Sequence, residues 1–137
     1  MKSRSESLIR LKKFQVDEKR RQVSQIETMV NDFVRMAGEL DQQIEIEQTK
    51  TGISDVAHFA YSTFAKAALA RRDNLLASAN DMREKLETAQ DALAEAIEDL
   101  KKVELLDQRE HQREAVEQLK VEQAEYDEIG RLRFRGQ

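Results

Sequence analysis

The sequence predicts an all-α fold, a long antiparallel two-helix coiled-coil hairpin, and three observations predict it. Leu75, Ala79, Met82, Leu86, Ala89, Leu93, Ala96, Leu100 and Val103 follow one another in alternating steps of four and three. They therefore form one narrow stripe on a helix, and such a stripe is completed by another helix rather than by a globular core. Proline and tryptophan are absent, only four glycines occur in 137 residues, and 36% of the residues are charged. That composition leaves long helices unbroken. The one strong interruption, Thr49-Lys50-Thr51-Gly52, is short, and short connections make neighbouring helices antiparallel. High charge with low hydrophobicity also describes disorder, and the regular period argues against it.

The first helix is predicted over about residues 3–50, opened by a capping box in which Ser3 precedes Glu6 by three positions. Ile9, Val16, Val23, Val30, Ala37 and Ile44 lie seven apart, and Ile26, Phe33 and Leu40 supply the second seam position. Val23, Ile26, Val30, Phe33, Ala37, Leu40 and Ile44 thus make an unbroken seam. Nearer the start Lys12 and Lys19 occupy the partner positions, while Leu8, Leu11 and Phe14 lie off the stripe. Those three either shift the local register or stay exposed for a partner. Gly38 sits in the helix interior, where its small size beside Ala37 would allow close helix approach.

The turn is placed at about residues 50–54, with Gly52 suited to the left-handed position that follows a helix end. Ser54 and Asp55 read as the cap and first-turn carboxylate of the next helix. That second helix is expected over about residues 55–130, ended by Gly130, with candidate breaks near 70 and at 107–114. At 1.5 Å per residue it would reach roughly 110 Å, against roughly 70 Å for the first. The mismatch leaves two arrangements open: the C-terminal part overshoots as a lone helix, or residues 54–70 fold back as a separate element. The span Asp107–Glu114 has no apolar side chain, and Val116, Leu119 and Tyr126 then resume a stripe in a shifted phase. The final stretch is therefore expected beyond the hairpin seam.

Ile53, Val56, Phe59, Tyr61, Phe64, Ala65, Ala67, Ala68 and Leu69 depart from the heptad. These side chains either plug the hairpin end where the chain turns, or form a docking surface, since aromatics on an otherwise polar helix pair act as binding hot spots.

The net charge of −4 is unevenly spread. Residues 1–22 carry Lys2, Arg4, Arg10, Lys12, Lys13, Lys19, Arg20 and Arg21 against Glu6, Asp17 and Glu18, and residues 131–137 add Arg131, Arg133 and Arg135. Everything between them sums to −12. In a hairpin the two basic stretches would form one pole, either a binding surface or simply solvated helix ends. A long polyanion would be repelled by the acidic body, so nucleic acid is not an expected partner.

Much chemistry is excluded. Without cysteine there is no disulfide framework or thiol nucleophile. The glycines, at 38, 52, 130 and 136, build no phosphate loop. His111 shares a face with Asp107 and Glu114, a triplet common on charged helices. No carboxylate sits in an apolar setting that would tune it for acid–base work. The expectation is a non-enzymatic protein without cofactor. No run approaches the roughly 18 apolar residues of a membrane span, and the start lacks the apolar run of a signal peptide, which predicts a cytoplasmic location without membrane insertion.

Leu8-Ile9-Arg10-Leu11-Lys12-Lys13-Phe14 followed by a charged helix resembles the start of the FliJ family, small coiled-coil proteins of bacterial flagellar export. Gly52-Ile53-Ser54-Asp55, His58-Phe59-Ala60-Tyr61 and Arg71-Arg72-Asp73-Asn74-Leu75 resemble its alphaproteobacterial branch. The resemblance implies a hairpin similar to the rotor stalk of F-type ATPases. It implies a soluble component of the type III export machinery, cytoplasmic and peripheral to the inner membrane at the flagellar base. The implied partners are the export ATPase hexamer, the cytoplasmic domain of the export gate, and export chaperones whose delivery it assists. For the gate, the family motif maps onto Tyr61 and Phe64, then Ala68, while Arg71 and Leu75 depart from it. For the ATPase, the basic residues Arg10, Lys12, Lys13, Arg131 and Arg133 are the candidates. The coiled-coil seam is assigned to Val23, Ile26, Val30, Phe33, Leu40, Leu86, Leu93 and Leu100. Two other classes stay open, a structural coiled-coil homodimer and a prefoldin-like holdase chaperone.

Overall fold

A computed structural model describes residues 4–135. Its architecture is all-α: two long helices, α1 (Arg4–Thr51) and α2 (Thr63–Arg135), packed against each other, with no strand among the described residues. The capping box predicted at Ser3 lies outside them.

The chain divides into two compact units, Asp17–Glu95 and a second made of Met1–Val16 with Ala96–Gln137. In the first, the α1 stripe is buried or half-buried at Val23, Ile26, Val30, Phe33, Ala37, Leu40 and Ile44. Its α2 counterpart is Ala65, Ala68, Arg72, Leu75, Ala79, Met82, Leu86, Ala89 and Leu93. Both sets keep the four–three spacing of a coiled-coil seam. The most closed positions are small ones, Ala65 and Ala79 at 0% exposure. Asp41 meets Arg72 at 2.9 Å and Glu47 meets Ser62 at 3.0 Å, so α1 and α2 run antiparallel.

In the other unit Ile9, Lys12 and Val16 of α1 continue the stripe, as do Ala96, Leu100, Val103 and Asp107 of α2. Lys12 is half-buried there, a position a lysine tolerates because its long apolar stem can be covered while its charged end stays in water. Ser5 Oγ donates to Glu110 at 2.9 Å, a side-chain link between α1 and α2 near the start of α1. Leu8, Leu11 and Phe14 are exposed, so the register is unshifted and these three are surface residues.

Four sequence expectations are corrected. α2 starts at Thr63, because side-chain hydrogen bonds hold the preceding residues in turns: Asp55 Oδ1 accepts from the Ala57 N–H and His58 Nδ1 from the Ala60 N–H, both at 3.0 Å. α2 has no break near 70 or at 107–114, since its backbone hydrogen bonds are local and the polar stretch consists largely of good helix formers. Gly130 does not end it; one glycine costs only about 1 kcal/mol, and no proline follows. Gly38 is no site of close approach, as a Cβ there would meet nothing within 4 Å. The predicted overshoot is present: every position from 108 to 135 is exposed.

Candidate partner-binding surfaces

The connection between the helices is built from backbone turns. Gly52, at φ +73, donates its N–H to the Gln48 carbonyl at 2.9 Å and closes α1 as a left-handed cap. The His58 N–H then reaches the Asp55 carbonyl, and the Tyr61 N–H the His58 carbonyl, each at 3.0 Å. Ser62 caps α2: its Oγ accepts from the Ala65 N–H at 3.3 Å and donates to Glu47 Oε1 at 3.0 Å.

These turns sort the aromatics. Tyr61 is buried, and its hydroxyl accepts from Gln48 Nε2 at 3.0 Å, so it plugs the end of the seam. Phe59 is 97% exposed and stacks on His58 with ring centroids 4.7 Å apart. Phe64, in the first turn of α2, is 56% exposed. Of the three residues assigned to a gate-binding patch, Tyr61 and Ala68 are therefore buried in the seam and only Phe64 is available. Burial follows from spacing, because Ala65 and Ala68 begin the α2 stripe and Tyr61 precedes it by one turn.

The basic residues are not brought into one pole. Arg10 and Lys13 are exposed on α1, whereas α2 runs on from Glu110, the partner of Ser5, for about 30 Å before Arg131. The reason is the length of the C-terminal overshoot. It is a helix sustained by local pairs: Lys120 with Glu117 at 4.0 Å, Gln123 with Asp127 at 3.1 Å, Arg131 with Glu128 at 3.7 Å.

His111 stands between Asp107, 3.4 Å from Nε2, and Glu114, 3.7 Å from Nδ1. One carboxylate faces each ring nitrogen, an ion-pair arrangement when the ring is protonated. Among the described residues no cluster is arranged to hold a metal ion, and no helix is long and apolar enough to cross a membrane.

A family model described as flagellar FliJ protein matches residues 1–137. The chain belongs to the FliJ family. No curated protein and no solved structure matches it. FliJ membership makes it a flagellar export-associated protein of a non-catalytic family, and the exposed residues described above are its candidate contact surfaces. Sequence reasoning missed two features that shape those surfaces. Ser62 is hidden as a cap because Ser54-Asp55 carries the stronger local signal. The Arg72–Asp41 pair joins residues 31 positions apart, and no local pattern announces it.

Proposed function

We propose that this FliJ-family chain works as a stalk and adaptor of the flagellar type III export machinery, peripheral to the inner membrane on its cytoplasmic side. In this reading it binds the export ATPase hexamer and the export gate and assists delivery of substrate chaperones. The observation that carries it is the family match along the whole chain. Its support in the molecule is an α2 end exposed at every position from 108 to 135, with Arg131 and Arg133 in its last turns, together with Arg10 and Lys13 on α1. Phe64 supports a separate gate contact, being a large aromatic left 56% exposed in the first turn of α2.

Affinity capture of the ATPase by the purified chain tests the first contact. Reversing Arg10, Lys13, Arg131 and Arg133 to glutamate should abolish capture, and unchanged capture rejects the basic residues as its basis. For the second, Phe64→Ala should keep the helical circular dichroism and lose binding to the isolated gate domain. Retained binding rejects Phe64.

A further inference from the structure

We propose that the two exposed apolar faces near the chain's ends cover each other between two copies of this chain. The α2 stretch 114–128 of one copy lies along Leu8, Leu11 and Phe14 of the other, and the reverse contact forms at the same time. The inference goes beyond the export role and does not depend on it.

Both faces carry large apolar side chains that are left substantially exposed. Leu11 and Phe14 lie outside the seam and are 50% and 54% exposed, and Leu8, 41% exposed, stands at the seam's rim beside Val103 and Leu106. On α2, Val116, Leu119 and Tyr126 recur at helical spacing and are 49–72% exposed. By the 100° turn per residue, this stripe falls on the side of α2 opposite the seam positions Leu100, Val103 and Asp107.

Their charges are complementary. Residues 4–14 carry Arg4, Arg10, Lys12 and Lys13 against Glu6, a balance of +3. Residues 114–128 carry Glu114, Glu117, Glu122, Glu125, Asp127 and Glu128 against Lys120, a balance of −5. By the same 100° turn, Arg4 and Arg10 flank the α1 face and Glu122 and Asp127 flank the α2 stripe, and opposite charges so placed fix register and suppress wrong pairings.

One chain cannot close this contact on itself. Ser5 lies beside Glu110, and from there the antiparallel helices carry Leu8 and Phe14 away from Val116 and Tyr126. α2 has no break at which its end could return. A second copy supplies both faces at once, so the association is isologous and closes at two chains. Phe14 and Tyr126 are the aromatic anchors of each contact.

Sedimentation equilibrium of the purified chain tests the proposal. The mass should rise from 15.9 kDa toward twice that value with concentration, and less so at high salt. Arg4→Glu with Arg10→Glu should weaken association by about tenfold or more, as should Glu122→Lys with Asp127→Lys. All four substitutions in one chain should restore it. Leu119→Asp, at an exposed position, should leave a helical monomer by circular dichroism. A chain that stays at 15.9 kDa up to about 1 mM overturns the proposal. So does a dimer that the fourfold charge exchange fails to restore, since that pairing must use other faces. Neither failure touches the export reading, because no ATPase or gate is present.

Discussion

The Arg72 guanidinium reaches across the seam from α2 to Asp41 on α1 at 2.9 Å, while its other edge holds Asp73 at 3.0 Å. Arg72 occupies a seam position that the heptad would fill with an apolar side chain. The hydrogen bonds to Asp41 and then Asp73 hold the guanidinium above its ordinary pKa, so it is charged at every pH at which proteins fold. A charged residue at a seam position needs its cross-seam partner, and a one-turn slip of α2 would remove it. The pair therefore specifies register more than it stabilises.

Because Asp41 is more than half exposed, the pair itself is weak. A double-mutant cycle with Asp41→Ala and Arg72→Ala should give a coupling of about 0.5–1 kcal/mol, shrinking as salt is raised. Exchanging the two, Asp41→Arg with Arg72→Asp, should recover most of it. Thermal melts followed by circular dichroism read both, and a salt-independent coupling would contradict the assignment.

Two glycines should respond in opposite directions. Gly38 is helical, and a Cβ there meets nothing, so Gly38→Ala should stabilise by about 0.5–1 kcal/mol. Gly52 stands at φ +73, where an L side chain is strained, so Gly52→Ala should destabilise by about 1–2 kcal/mol. Denaturant melts of the two variants should move to either side of the parent. A stabilised Gly52→Ala would mean that the turn is not locked.

Ser62 holds two elements with one hydroxyl, capping α2 through Ala65 and linking to Glu47 of α1. Ser62→Ala should therefore cost about 1–2 kcal/mol, near the upper range for a cap, and Ser62→Asp should fail to rescue because its carboxylate would face Glu47. Amide hydrogen exchange should show the loss at Ala65 and Lys66 first. Equal effects along the whole of α2 would argue against a local cap.

What was legible followed from repetition. The seven-residue spacing from Val16 to Ile44 identified the most buried line of α1, and the shifted phase after Glu114 foretold an unpaired end. What was not legible depended on single hydrogen bonds or on lengths. Asp55 looks like a helix opener until its carboxylate and His58 are seen holding turns, and only the start of α2 at Thr63 makes Tyr61 a plug. The single basic pole failed for a related reason. Sequence gives charges at both ends, but their separation depends on where Ser5 pairs along α2.

The alanine positions of the seam offer the sharpest check on packing. Ala79 is fully buried, while Ala77, two residues away on the same helix, is exposed. Leucine has a helix propensity close to that of alanine, so the two substitutions differ only in what the side chain meets. At 77 it meets water, and Ala77→Leu should change stability by less than about 0.5 kcal/mol. At 79 it enters a seam already closed around a methyl group, and the helices must separate or the side chain must leave its preferred rotamer. Ala79→Leu should then cost about 1–3 kcal/mol. Chemical denaturation of the two variants side by side measures the difference. If Ala79→Leu proved neutral or stabilising, the helices would have room between them there, and the close packing at Ala79 would have to be abandoned.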